Sequence, residues 1–437
     1  LCPLVDNNQI ILPNRFADEI RARDEFNFPK SVQEDLFTTY PGFDAFTHGL
    51  KNDWFLQEVT RVKLSQSLSA VTPVLVDETT AAVHDLFGED YEWQPTLLKS
   101  NVAELIGRLS SRVFLGLPLC RNKRWLDITK SYTVDVFAGS SLLRESPAIL
   151  RPIMYWFNPH CTRLRAQVRD ARSLITPEIK KRIAPVQKAL AAGQKPPKMT
   201  DMIGWMHEVA RGEKVDYVAM HLNLSVVAMH TTTENTAQAL IDICRHPEIV
   251  GPLREEIISV ISENGWTKAS LQKLRLMDSF LKESQRFTPI AAYAMHRYVE
   301  RKFELSDGTV LPKGAKVIVA GGYTDPAVYE NPEKFDAFRF ARKRPEPGQT
   351  NAWGHVTTSA SHMGFGHGQH ACPGRFFASN EIKVALCHIL LKYDLDLLDG
   401  EAPPAYRIEG MSSVSLEGKI RIRRRKKEIN LDLEEPL

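Results

Sequence analysis

Phe365-Gly366-His367-Gly368-Gln369-His370-Ala371-Cys372-Pro373-Gly374-Arg375 is the stretch on which the reading of this chain turns. A single cysteine sits in a glycine-punctuated loop, and a helical pattern begins directly behind it. Gly368 and Gly374 admit backbone conformations closed to residues with a Cβ and allow close approach to a flat ligand. Pro373 cannot donate a backbone hydrogen bond but is tolerated in the first turn of a helix. Backbone amides around the cysteine and the N-terminus of the following helix favour an anionic sulfur, a setting that lowers a thiol pKa. This is the local chemistry needed to present a thiolate to a metal.

A lone cysteine is by default a small buried hydrophobe, and the flanking glycines and following helix set Cys372 apart from that default. A rival reading uses the histidines crowded into the same stretch, His355, His362, His367 and His370. On that reading His367, His370 and Cys372 bind zinc and the protein is a non-catalytic metal-binding one. Structural zinc generally takes four ligands at tight spacings, and these histidines follow no standard pattern.

The 437 residues have the apolar and charged fractions of a soluble globular protein with a substantial core. A formal net charge of +3 is too small to argue for nucleic acid. The six cysteines, Cys2, Cys120, Cys161, Cys244, Cys372 and Cys387, include no C-x-x-C pair. That spacing argues against a disulfide framework and for a reducing compartment. No stretch approaches the ~18 consecutive apolar residues of a membrane span. The chain opens on Leu1, just before the strand-like run Gln9-Ile10-Ile11-Leu12, as a fragment lacking its own N-terminus would.

Helical periodicity predicts long helices over 99–116 and 217–245, then shorter ones over 249–262, 271–287 and 376–393. Strands are expected at 303–305, 310–311 and 315–319, with a turn at Asp307-Gly308. The fold class is mainly α with a small β region, in a single domain spanning 1–437. Two further groups carry chemistry. Glu283 and Arg286 lie three apart on one helix face and can pair, and Arg339 is a third charged candidate. In the middle of the long helix, Thr231-Thr232-Thr233 are poor helix formers whose hydroxyls predict a local bend beside a small-ligand site.

Taken in order, these pieces resemble the cytochrome P-450 family of heme-thiolate monooxygenases. The family's cysteine signature F-x-x-G-x-R-x-C-x-G is met by Phe365, Gly368, Cys372 and Gly374, with His370 in place of the usual arginine. The E-x-x-R motif is met at Glu283 and Arg286, and the aromatic-arginine segment around Arg339. The oxygen-activation motif is met in part: Ala228 stands for glycine, His230 for the acid and Thr231 for the key threonine. The resemblance runs through essentially the whole chain and lacks the family's N-terminal anchor and first helix.

The resemblance implies heme b with Cys372 as axial ligand, and Glu283, Arg286 and Arg339 as a buried triad behind the cysteine loop. It implies Arg297 and His370 as partners of the heme propionates. Thr231 would be the hydroxyl that organises proton delivery on the oxygen side. His230 would either relay protons or be a core histidine bonded to a backbone carbonyl. Substrate contacts are implied at Ala228, Ile290, Ala291, Tyr293, Met295 and Met411. These are mostly apolar or small, so the substrate is expected to be hydrophobic.

Further implications concern partners and reaction. No flavin domain follows the cysteine helix, so electrons are expected from a separate NADPH-cytochrome P-450 reductase, with Arg375, Arg342-Lys343-Arg344 or Arg423–Lys427 as candidate docking groups. The run 423–427 reads more readily as a solvated strand end than as a docking group. The membrane expected is the cytosolic face of the endoplasmic reticulum. The His-Thr-Thr and His-Ala-Cys-Pro-Gly-Arg-Phe-Phe variants are similar to those of filamentous-fungal enzymes that tailor terpenoids, alkaloids and polyketides. Hydroxylation in one or several steps is the expected reaction; desaturation, ring closure or coupling on the same heme is the alternative.

Overall fold

The computed structural model describes residues 9–51, 53–408 and 410–426. Its strands are β1 Gln9–Leu12, β2 Phe26–Asn27, β3 Gln94–Leu97, β4 Tyr293–Val299, β5 Phe303–Glu304, β6 Val310–Leu311, β7 Lys316–Ala320, β8 Tyr393–Leu397, β9 Ala405–Ile408, β10 Met411–Val414 and β11 Lys419–Arg424. The longer helices are α1 Leu68–Phe87, α2 Leu98–Phe114, α3 Lys123–Glu145, α4 Pro159–Ala191, α5 Tyr217–Arg245, α6 Val250–Asn264, α7 Arg275–Phe287 and α8 Arg375–Lys392. The fold is mainly α with small sheets. The backbone divides into two compact units, one of residues 1–28, 72–105 and 231–437, the other of 29–71 and 106–230.

In the first unit a four-stranded sheet runs in the order β1-β7-β4-β2. β1 lies parallel to β7, pairing Gln9 with Lys316 and Leu12 with Val319. Beneath it lies an apolar cluster of Leu12, Phe16, Ile20, Phe26, Val299, Val317 and Val319. The β4–β7 register shifts between Ala294 and Arg297, an extra residue that forms a bulge, and Met295 there has φ 55°. α8 is buried all the way round from Ser379 to Lys392, as expected of a helix packed on every side.

The second unit is a helix assembly in which α3 packs on α4. Leu164, Val168, Ala171 and Ile175 bury one stripe of α4 at the three-and-four spacing of an amphipathic helix. Asn158 caps α4 by accepting the N–H of His160 at 2.8 Å, with Pro159 at the first helical position. Asn122 caps α3 in the same way through Trp125.

The helix over 271–287 is in fact two, Lys268–Lys273 and α7, broken at Leu274. Despite its threonines, α5 runs unbroken from Tyr217 to Arg245. Back-bonding to the preceding turn occurs at Ser225 and Thr236, whose hydroxyls donate to the carbonyls of His221 and Thr232. Tyr393 opens a strand and does not extend α8. The cysteines 120, 161, 244, 372 and 387 are free; Cys2 lies outside the described residues.

Candidate active site

The cysteine loop closes on itself through backbone bonds. The N–H of Cys372 donates to the carbonyl of Phe365 at 2.8 Å, and that of Ala371 to Gly368 at 3.0 Å. Gly366 and Gly368 hold φ 68° and 75°, the left-handed region that favours glycine. At Gly368 the need is doubled, because a Cβ would fall 2.4 Å from the Cβ of Arg21. Gly374 is glycine for a different reason: its φ is −88°, and a Cβ there would meet nothing within 4 Å. It leaves open space at its Cα, two residues beyond Cys372.

Cys372 is part-buried at the start of α8. Burial pushes its thiol pKa up, while the backbone amides of Gly374 and Arg375 and the Arg375 charge pull it down. Burial wins, contrary to the lowered thiol pKa expected from the loop. A thiolate here therefore needs a cation as partner. Arg375 turns back to donate to the carbonyl of Cys372 at 2.9 Å.

Beside the loop lies a buried cation, Arg297, without a counter-charge among the described residues, next to the imidazole of His370. Arg297 is 2 % exposed, lies over the Phe28 ring at 5.7 Å and donates to its neighbour's carbonyl, that of His296. Among the described residues no carboxylate pairs with it. Burial lowers its pKa to about 10. His370 stands 5.4 Å from the same Phe28 ring, and its Nδ1 is buried without a partner. Its pKa falls to about 4, chiefly by burial and secondly through Arg297. A buried unpaired guanidinium is costly in isolation. The donor set therefore fits a ligand that brings carboxylates and a thiolate-binding metal together, as heme does.

The bulge in β4 accounts for Arg297. Residues two apart in a regular strand share a face, yet Met295 and Arg297 lie in different surroundings. Met295 is buried in the apolar cluster with Leu12 and Phe16, while Arg297 lies over Phe28. Met295 is accordingly corrected from substrate contact to core residue.

Behind the loop, Glu283 is fully buried and holds both arginines. Arg286 pairs with it through two bonds of 2.8 Å, and Arg339 Nε donates to it at 3.0 Å. The N–H of Asp336 supplies a fourth bond at 3.0 Å. Arg286 also donates to the carbonyls of Tyr323 and Pro332, and Arg339 to those of Glu330, Asn331 and Lys334. These bonds give the buried pairs the additional partners that burial demands. The neighbouring Gln285 reaches the segment just before the loop, with Oε1 3.0 Å from His362 Nε2. It also presses on Gly364, where a Cβ would lie 2.1 Å away.

The four histidines of the zinc reading go to four different places. His355 bonds Ser379, His362 bonds Gln285, His367 bonds Asp18, and His370 faces Phe28. Among the described residues no three His, Cys, Asp or Glu side chains could share an ion. The geometry removes the zinc alternative.

On α5, Val227 and Thr231 are exposed one turn apart, Ala228 and His230 are part-buried, and Thr232 and Thr233 are buried. Elsewhere, Ile290 accepts the N–H of Ser412 at 2.7 Å, Ala291 bridges Met411, and Tyr293 packs on Gly410. Ile290, Ala291, Tyr293 and Met411 are thus brought together by β10 from far along the chain. Of the basic groups, Arg344 is buried on Asp278, Arg342 pairs with Asp336, and Arg423 and Arg425 pair with Asp394. Lys427 lies outside the described residues.

Asp18, Arg21 and Phe28 escaped sequence reasoning because they meet the cysteine loop across nearly the full length of the chain. Gln285 could have been found, since it lies inside the E-x-x-R motif.

Comparison with known proteins agrees with this geometry. The model of the family Cytochrome P-450 matches residues 129–422. The chain is 44 % identical to cytochrome P-450 monooxygenase bsc2 of Alternaria brassicicola, over 97 % of this chain and 81 % of that protein. It is 41 % identical to a cytochrome P-450 monooxygenase 1 of Gibberella fujikuroi, over 96 % of each. With cytochrome P-450 monooxygenase hepE of Aspergillus oryzae it shares 43 % identity, over 89 % of this chain and 72 % of that protein. The chain belongs to the cytochrome P-450 family of monooxygenases, oxidoreductases that incorporate oxygen from O2.

Proposed function

We propose that this chain is a single catalytic domain that hydroxylates, in one or several steps, a hydrophobic natural product such as a terpenoid or alkaloid, with electrons from a separate NADPH-cytochrome P-450 reductase. The observation that carries the reading is the pairing of the Cys372 loop with the unneutralised guanidinium of Arg297 and the unpartnered Nδ1 of His370 around Phe28. Heme b, held through Cys372, would supply O2 activation, the thiolate donating electron density that favours O–O cleavage. Arg297 and His370 would hold its carboxylates. Glu283, Arg286 and Arg339, which tie down the segment 330–336, would support the loop.

Thr231 is an exposed residue whose hydroxyl can donate and accept, which would suit it to orienting a proton on the oxygen side. His230 beside it would move that proton in place of an acid. Ile290, Ala291, Tyr293 and Met411 would form an apolar wall that orients the substrate and excludes water, and Ala228 is a further proposed substrate contact. The apolar exposure of Ile149, Ile153, Trp156 and Phe157 supports contact with a membrane surface, which would be the cytosolic face of the endoplasmic reticulum.

The test is Thr231→Ala in the reconstituted holoenzyme. Heme content should be unchanged, while peroxide formed per NADPH oxidised rises at the expense of product. Undiminished product per NADPH would remove Thr231 from the proton path.

A further inference from the structure

Glu234 stands one turn beyond Thr231 on α5 and is an acid the activity described above does not use. Its carboxylate is engaged on both oxygens. Oε1 accepts the hydroxyl of Ser413 at 2.9 Å, Oε2 accepts the backbone N–H of Val414 at 3.0 Å, and Lys99 of α2 pairs with Oε1. Lys99 Nζ donates in turn to Ser413 Oγ at 2.6 Å and to the carbonyl of Val414 at 2.9 Å. The Ser413 hydroxyl is therefore used in both directions, as acceptor from Lys99 and donor to Glu234. The side chains of Lys99 and Glu234 are only 12 % and 13 % exposed, so solvent screens the pair little.

At its other end β10 is tied to a different element. The N–H of Ser412 donates to Ile290, that of Ala292 donates to the carbonyl of Gly410, and Met411 bridges Ala291. One short strand thus joins the threonine-bearing helix to the segment 290–293. From this we infer that Glu234 and Lys99 form a specificity-determining clamp. It sets how far Met411 and residues 290–293 stand from the helix face that carries Thr231, and so the bulk of substrate admitted. The inference rests on the proposed seat of the substrate beside those residues. A proton-relay role for Glu234 does not suit the same geometry, since three donors already occupy its oxygens.

The test compares the wild-type holoenzyme with Glu234→Ala, Lys99→Met and the conservative Glu234→Gln. Two readouts are taken: hydrogen exchange of the peptide covering 411–416, and affinities for imidazole and the bulkier 4-phenylimidazole followed by the Soret shift. Glu234→Ala and Lys99→Met should each speed exchange by about tenfold. Both should change the affinity ratio of the two azoles several-fold while imidazole alone binds nearly as before. Glu234→Gln keeps one acceptor oxygen, for either Ser413 or Val414, so it should fall between. Unchanged exchange in both Glu234→Ala and Lys99→Met overturns the clamp. Faster exchange with an unchanged azole ratio overturns the specificity role and counts against the proposed substrate seat, leaving the heme-thiolate reading untouched.

Discussion

Glu283 and Arg297 are both buried and charged, yet they answer to opposite physical demands. Glu283 has four donors directed at it, so removing its charge strands two buried guanidinium groups. Glu283→Ala should cost about 3–5 kcal/mol, and the measurement is the urea midpoint of purified protein, read together with heme content. Arg297 has no carboxylate partner among the described residues, so its burial burdens the ligand-free protein. Arg297→Met should leave the urea midpoint of the apoprotein at or above that of wild type. Heme transfer to apomyoglobin should nonetheless become about tenfold faster, about 1.4 kcal/mol of lost retention. The charged partners of Glu283 were legible in sequence because fixed spacings on one helix put Glu283 and Arg286 on one face. Met295 was not, because one extra residue in β4 changes which side chain goes to the core, and hydrophobic character does not show a bulge.

Between elements, α5 and α7 are joined by Asp242, whose carboxylate accepts Ser284 Oγ at 2.6 Å and Gln238 Nε2 at 2.8 Å. Burial raises Asp242 to about 6, against the downward pull of those bonds and of Arg245 and His246. The folded chain therefore holds this proton more tightly than the unfolded chain does. Its stabilising contribution is full below about pH 4 and is lost as pH rises through about 6. Asp242→Asn cannot titrate, so its stability relative to wild type should climb by on the order of 2–3 kcal/mol between about pH 4 and pH 7. Urea midpoints at both pH values check this, and a flat difference would contradict it. Helix existence was readable from apolar period at this scale, since α2, α5 and α8 fall within about two residues of their expected limits. The break at Leu274 was not, because nothing in the local pattern distinguishes a short interruption from a continuous turn.

Across the whole molecule, the family was readable because motifs far apart in sequence keep their order, whereas long-range pairings such as Phe28 with His370 leave no local trace. Membrane contact belongs to this scale as well. No helix among the described residues is long and apolar enough to cross a bilayer, yet Ile149, Ile153, Trp156 and Phe157 are 85, 57, 60 and 81 % exposed on one short segment. An apolar cluster of this kind marks an interaction surface. Trp156→Ser combined with Phe157→Ser should lower partitioning onto anionic vesicles at least about tenfold without changing heme content. The central claim is that Cys372 presents a thiolate to heme iron, and the ferrous–CO difference spectrum tests it most directly. The wild-type protein should give a strongly red-shifted Soret band that disappears in Cys372→Ser. An unshifted band in the wild-type protein, or a red-shifted one that survives in Cys372→Ser, would contradict the assignment.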